Sequence, residues 1–243
     1  MTPPLPAKPD VSDHHEPQNV HAAGWRPVLL VSLAVVSALW VLGIRFLPSP
    51  WRGIPSTPLT TLFLLLAAAV VQTGVPARYK WSIVTGLGCS AVGDLSLILP
   101  GNWFVPGLGS FLAAHLCYLW AFTGDSRLAG RKLPFVVWAA FGILLLACLW
   151  PGVAGPLRLP VLLYTLAISA MAAQASSRAL AKRDAAAILA AVGAALFVAS
   201  DSVLAFQRFR HPLAWGRFVV LGTYFAAQGG IALSVVLHRR PAR

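Results

Sequence analysis

The sequence is poor in charged residues, and acids are the scarcest of these. Of its 243 residues only 11% are charged, and Asp and Glu together number 7. An ordinary soluble domain is about 25% charged and about 45–50% apolar, whereas 58% of this chain is apolar. A water-soluble fold of this size cannot bury so much apolar surface. The composition therefore excludes a soluble globular enzyme and a disordered chain.

Cysteine is scarce as well. The 3 cysteines, Cys89, Cys117 and Cys148, are odd in number, lie within apolar runs and lack the CxxC spacing of metal sites. We interpret them as small buried hydrophobic residues, which excludes a disulfide-stapled domain. The chain also lacks GxGxxG at a strand–helix turn, GxxxxGK[ST] and GxSxG. We therefore expect no nucleotide cofactor, no flavin and no bound metal.

Long apolar segments dominate what remains. Only helices and closed barrels satisfy their backbone hydrogen bonds in hydrocarbon, and continuous Leu- and Ala-rich runs of roughly 20 residues favour helices. The predicted segments are Val28–Ile44, Thr57–Gly74, Ser82–Leu99, Phe104–Phe122, Pro134–Trp150, Leu159–Ser177, Ala185–Phe206 and Phe218–Leu237. The predicted fold class is all-α: a polytopic membrane helix bundle with eight transmembrane helices in one domain, residues 28–238.

The two ends of the chain are polar. Residues 1–27 are rich in proline and hold three of the 7 acids, which predicts a disordered cytoplasmic tail, and residues 239–243 form a basic C-terminal tail. Thirteen of the 19 Lys and Arg fall on the side of the N-terminus and six on the other. This bias predicts an integral protein of the bacterial inner membrane with both termini in the cytoplasm.

The net charge of +12 is spread over short loops. No basic run carries interleaved aromatic residues, so the expected partners are membrane lipids and not nucleic acid. The sequence contains no indication of an oligomeric state.

Two of the acids, Asp94 and Asp201, lie inside apolar segments. A charge at that depth costs at least about 2.5–3.5 kcal/mol and must face the bundle interior. No Lys or Arg occurs at matching depth, so the expected partners are hydroxyls, water and each other. One carboxyl could then act as an acid and the other as a base. Alternatively, each Asp only hydrogen-bonds a neighbouring helix and fixes its packing.

The two acids occur in similar surroundings. Gly93-Asp94 and Ser200-Asp201 each precede aliphatic residues, and a tyrosine follows each in the next segment, Tyr118 and Tyr224. Because the two Asp helices run the same way through the membrane, this correspondence favours a parallel duplication of four-helix halves.

Further polar residues accompany the two acids at helical spacing. His115 shares a stripe with Tyr118, and it could hold a phosphate, shuttle a proton or remain a satisfied core residue. A metal role for it is disfavoured, because zinc needs three or four ligands and a second buried His is missing. The polar residues near the acids are Ser90, Ser202, His115, Tyr118, Tyr224 and Gln228.

At these residues the sequence resembles the YhhN family of membrane proteins, which includes the lysoplasmalogenases. The resemblance covers about Val28 to Leu237 and rests on Gly93-Asp94-Leu95, Phe111–Tyr118, Ser200-Asp201-Ser202 and Thr223–Gln228, in that order. It implies hydrolysis of the vinyl-ether bond of a lysophospholipid, giving a fatty aldehyde and a glycerophospho-base.

This reaction suits two carboxyls, as in an inverting glycosidase. We therefore expect Asp94 and Asp201 to be the catalytic pair, with their roles unassigned, and the six polar residues to position water or bind substrate. The competing interpretation is a proton-coupled transporter of a small or lipidic solute, in which the same Asp pair relays protons. The lack of Gly- and Pro-interrupted helices disfavours it.

Overall fold

The computed structural model describes residues 25–43, 57–70 and 74–238, which form eight α-helices and no strand. Two short 3-10 turns, Trp150–Gly152 and Gly155–Leu157, connect the fifth helix to the sixth. The helices are α1 Trp25–Gly43, α2 Thr57–Ala69, α3 Ala77–Ile98, α4 Phe104–Phe122, α5 Lys132–Leu149, α6 Arg158–Lys182, α7 Ala185–Phe209 and α8 Gly216–Val236.

The predicted all-α polytopic bundle is confirmed, and each predicted segment overlaps one helix. Six helices, α3 to α8, are long and apolar enough to cross a membrane, so the count of eight spans stays a prediction. Helix α2 ends at Ala69 and not at Gly74, which has a left-handed φ of +83° that glycine adopts readily. Of the predicted tails, residues 1–24 and 239–243 lie outside the described residues, while residues 25–27 of the predicted N-terminal tail, 1–27, belong to α1.

Helices that follow each other in the sequence pack together within each half of the chain, and the contacts of α3 with α4 and of α7 with α8 are the most extensive. The two halves, α1–α4 and α5–α8, repeat one pattern. Helix α2 contacts α1 and α3, and α6 likewise contacts α5 and α7. The two halves contact each other through two pairs of helices, α4 with α6 and α8 with α2. Helix α4 corresponds to α8 and α6 corresponds to α2, so these two contacts are equivalent. This packing supports the predicted duplication.

Helix α5 presents a largely apolar surface away from the bundle. Leu133 and Leu144 are each 70% exposed, and Ile143 is 69% exposed. Such a surface fits hydrocarbon as its surroundings. Cys148 is also exposed on this helix, so the interpretation of all three cysteines as buried is wrong for Cys148, while Cys89 and Cys117 are half-buried.

A buried ionic cluster holds one end of the bundle, where α4 and α6 end. Asp125 accepts hydrogen bonds from Arg178 Nε at 2.7 Å, Arg178 Nη2 at 2.8 Å and Lys182 Nζ at 2.6 Å. The fully buried Arg178 also lies 4.9 Å from the ring centroid of Tyr79. Helix α6 continues past Ser177, its predicted end, and this extension carries Arg178 into the bundle.

The pKa of Asp125 is about 2. Burial by itself would raise this pKa, but the hydrogen bonds and positive charges of Arg178 and Lys182 outweigh burial. An unfolded Asp has a pKa of about 3.9. Because the folded pKa is the lower one, Asp125 contributes its full stabilisation above about pH 4 and loses it as the pH falls towards about pH 2.

We predict that Asp125→Asn lowers the free energy of unfolding at pH 7 by about 3 kcal/mol, because it leaves the buried Arg178 without its counter-charge. Unfolding of the purified protein in detergent measures this. Lys182→Gln is the matched control: the Lys182 side chain is 25% exposed, and its loss should cost less than about 1 kcal/mol. Between about pH 4 and pH 2 the wild type should lose more stability than Asp125→Asn; equal losses would contradict the assignment.

Candidate active site

Asp94 and Asp201 line one cavity of about 240 Å³. We call it the carboxyl cavity; Phe111, Gln207, Arg217 and Tyr224 also form its wall. Asp94 is about one turn from the end of α3, and Asp201 is about two turns from the end of α7. The cavity therefore lies towards the end of the bundle opposite the Asp125 cluster. In the predicted orientation this is the outer half of the membrane.

Two hydroxyl groups from different helices donate hydrogen bonds to the carboxyl group of Asp94. Its Oδ2 accepts hydrogen bonds from Thr61 Oγ1 in α2 at 2.7 Å and from Tyr224 Oη in α8 at 2.8 Å. Behind them, Tyr118 Oη donates to Gln228 Oε1 at 2.8 Å, and Gln228 Nε2 donates to Tyr224 Oη at 3.1 Å. These donors all point towards Asp94, so a directed chain of hydrogen bonds ends at its carboxyl.

Asp201 has a hydroxyl and an imidazole as neighbours. Tyr164 of α6 donates a hydrogen bond to Asp201 Oδ2. Nε2 of His115 in α4 lies 2.9 Å from Tyr164 Oη and 3.5 Å from Asp201 Oδ2. His115 is fully buried, and its Nδ1 has no hydrogen-bond partner among the described residues. The lack of a partner for Nδ1 favours the His115 tautomer that carries its hydrogen on Nε2. This N–H group points towards Tyr164 and Asp201.

A second cavity meets the carboxyl cavity at Asp201. It is smaller, about 70 Å³, and its wall is mostly apolar, with Leu145 of α5, Val161 of α6 and Val198 of α7 among its residues. We call it the apolar slot. Ser202 lines the slot, but its Oγ donates to the Val198 carbonyl at 2.6 Å.

The expectation that hydroxyls are partners of both acids is confirmed. Of the six predicted binding residues, only Tyr224 lies on the wall of the carboxyl cavity, and Ser202 lies in the apolar slot. The other four stand behind the acids and line neither space. Of these, Ser90 Oγ is 3.5 Å from Tyr118 Oη. The four residues are Ser90, His115, Tyr118 and Gln228.

The sequence does not single out Thr61 and Tyr164. Hydroxyl residues in apolar helices carry no positional signal, because they can bond their own backbone as easily as a distant acid. One signal does exist: the chain has only 4 tyrosines. Three of them, Tyr118, Tyr164 and Tyr224, fall in predicted segments, and all three belong to these hydrogen-bond networks.

Two glycines of α3 make room for aromatic rings of α4. A Cβ at Gly86 would overlap the ring of Tyr118, and a Cβ at Gly93 would lie 2.7 Å from the ring of Phe111. The absence of side chains at these two positions therefore sets where Tyr118 and Phe111 stand.

We predict that Gly86→Ala destabilises the protein by about 1–3 kcal/mol, because the added methyl displaces the tightly packed Tyr118 ring. The same displacement should weaken the bond from Tyr118 to Gln228. Gly109→Ala is the control: a Cβ there meets nothing within 4 Å, so alanine should stabilise α4 by up to about 1 kcal/mol. Unfolding in detergent measures both, and two variants of equal stability would contradict this account.

The fold and the site together define a class: a polytopic helical membrane protein with paired carboxyls inside its bundle. Within residues 25–43, 57–70 and 74–238, no group of three or more His, Cys, Asp or Glu is placed to hold a metal ion. The groups at hand are two carboxyls, phenol hydroxyls and one imidazole. Such a site can donate and accept protons at a lipid-soluble molecule.

The chain belongs to the YhhN family, whose model matches residues 55–235. The resemblance inferred from the motifs is thereby confirmed. Lysoplasmalogenase TMEM86B of Sus scrofa is 36% identical over 236 residues, 95% of this chain and 93% of that protein. TMEM86B of Homo sapiens is 34% identical, over 92% of this chain and 91% of its own.

A bacterial relative has a comparable identity over a shorter part of the chain. The lysoplasmalogenase of Mycobacterium bovis is 35% identical over 77% of this chain and 74% of its own length. No solved structure matches the chain.

Proposed function

We propose that this protein is a lysoplasmalogenase, which hydrolyses the vinyl-ether bond of a lysophospholipid to a fatty aldehyde and a glycerophospho-base. The observation that carries the proposal is the pair of intramembrane carboxyls on one cavity. It is supported by relatives named lysoplasmalogenase, one of which aligns with 95% of the chain.

The reaction needs an acid and a base near a lipid. A proton added to the β-carbon of the vinyl ether leaves an oxocarbenium ion, whose positive charge is stabilised by a nearby carboxylate. Water then adds to this ion while a base takes one of its protons, and a hemiacetal forms. The hemiacetal collapses to the aldehyde and the free glycerol hydroxyl, so that one water is consumed.

Both carboxyls accept hydrogen bonds from side-chain hydroxyls at Oδ2. Asp94 accepts them from Thr61 and Tyr224, and Asp201 accepts one from Tyr164. Hydrogen bonds donated to a carboxylate favour its charged form, so either carboxyl can serve as the base that stabilises the oxocarbenium ion and takes a proton from water.

The other carboxyl is the acid, and it gives its proton to the β-carbon. When the hemiacetal collapses, the hemiacetal hydroxyl returns a proton to this carboxylate, and the protonated base gives its proton to the departing glycerol oxygen. Both carboxyls thus end in their starting states. Of the two, Asp201 lines both the carboxyl cavity and the apolar slot. Tyr164 and His115 are positioning residues that orient Asp201.

We predict that Asp94→Asn and Asp201→Asn each lower kcat by at least about 100-fold, because each removes one proton-transfer group. The assay is aldehyde release from a 1-alkenyl lysophospholipid by protein purified in detergent. Asp184→Asn is the control, since Asp184 caps α7 by accepting a bond from Ala187 N at 2.7 Å. Near-wild-type activity in either cavity variant would reject the acid–base pair.

The same assay separates the hydrolase from a proton-coupled carrier. An enzyme forms aldehyde without a sealed compartment, whereas a carrier needs two compartments and leaves its solute intact. Wild-type protein that forms no aldehyde in detergent, but moves a solute into sealed vesicles, would overturn the proposed function.

We predict that Tyr164→Phe lowers kcat by about 10-fold or more with little change in KM, because it removes only the hydroxyl that orients Asp201. Tyr79→Phe is the matched control: Tyr79 Oη lies 2.7 Å from Ser234 Oγ at the opposite end of the bundle. Steady-state kinetics of both variants test this. Equal kcat for Tyr164→Phe and wild type would refute the positioning role of Tyr164.

A further inference from the structure

The carboxyl cavity and the apolar slot adjoin each other. They share four wall residues, and Asp201 is the one polar residue among them: Leu97, Phe111, Asp201 and Leu204. The slot extends from this junction between α4, α5, α6 and α7. An amphiphilic molecule could therefore pass Asp201 with its apolar part in the slot and its polar part in the carboxyl cavity.

The carboxyl cavity carries one cationic side chain on the part of its wall that the structure describes, Arg217. Arg217 lies in the first turn of α8 and is exposed. Its guanidinium forms no salt bridge with a carboxylate of the described residues, whose ion pairs join other groups. An anion entering this cavity would thus meet an available guanidinium, which suits phosphate through its planar pair of donors.

The neighbouring Arg208 is placed differently. It lines the apolar slot and not the carboxyl cavity, and its guanidinium stands 4.8 Å from the ring centroid of Phe104. Arg217 is therefore the cation that shares a wall with both acids.

We propose that Arg217 binds the phosphate of the lysophospholipid, while the apolar slot holds the first carbons of its alkenyl chain and the vinyl ether lies at Asp201. This inference rests on the proposed function and adds the direction in which the substrate lies. The order of groups in the substrate is phosphate, glycerol, vinyl ether and hydrocarbon. Arg217 and Asp94 line the carboxyl cavity and not the slot, whereas Asp201 lines both spaces, and this placement matches the order of groups in the substrate.

The volume of the slot limits what it holds. About 70 Å³ has room for about five water-sized groups, which is a short stretch of methylenes and not a whole fatty chain. The remaining chain lies outside the slot, in the hydrocarbon of the bilayer. The enzyme therefore selects its substrate at the phosphate and next to the ether, and not at the end of the chain.

The test compares two substrates that differ only in the phosphate: a 1-alkenyl-glycerophosphoethanolamine and the corresponding 1-alkenylglycerol. Full-length protein in detergent is assayed for aldehyde release, and the preference is the ratio of the two kcat/KM values. We expect the wild type to prefer the phospholipid by roughly 10–100-fold, the range of a charge-assisted hydrogen bond.

Arg217→Gln should bring this ratio close to one, with the loss confined to the phospholipid, and Arg217→Lys should give an intermediate ratio. Arg210→Gln is the matched control, since Arg210 is exposed in the connection between α7 and α8 and lines neither space. It should keep the wild-type ratio.

Two results would overturn the inference: an Arg217→Gln ratio equal to that of the wild type, or an equal loss on both substrates. A wild type without preference for the phospholipid would overturn it too. Failure of the proposed function looks different, because the wild type would then release aldehyde from neither substrate.

Discussion

Two carboxyl groups inside a lipid-facing bundle need hydrogen-bond donors, and the helices around them have none to spare. Every backbone N–H in the middle of an α-helix is already paired, and hydrocarbon supplies no others. Side-chain hydroxyls must therefore provide the donors. Thr61 and Tyr224 do so for Asp94, and Tyr164 does so for Asp201. The positions of α2, α6 and α8 around α3 and α7 follow from this requirement.

The two acids occupy equivalent helices but have unlike surroundings. Asp94 stands at the end of a long directed chain of hydrogen bonds and is 5% exposed. The Asp201 side chain is 15% exposed and has His115 3.5 Å away. A duplicated pair of acids would be interchangeable if its surroundings were also duplicated. Here the surroundings differ, so the two carboxyls need not have the same role.

Much of the fold and the two acids could be predicted from the sequence, for a physical reason. Charges are so unfavourable in hydrocarbon that Asp94 and Asp201 are conspicuous among apolar neighbours. The helical segments follow from apolar length. What could not be predicted involves weaker or longer-range preferences: Thr61 and Tyr164 look like ordinary residues of apolar helices. The burial of Arg178, one residue beyond a predicted segment, could not be predicted either. The ion pair that permits this burial joins residues 53 apart in the chain.

The partners of each acid come from both halves of the molecule. Asp94 belongs to α3 in the first half, but Tyr224 belongs to α8, the last of the described helices to be synthesised; likewise Asp201 of α7 lies beside His115 of α4. A nascent chain that has delivered only its first helices to the membrane thus carries Asp94 without Tyr224. The carboxyl cavity exists only after insertion reaches α8, so maturation of the site coincides with completion of the bundle.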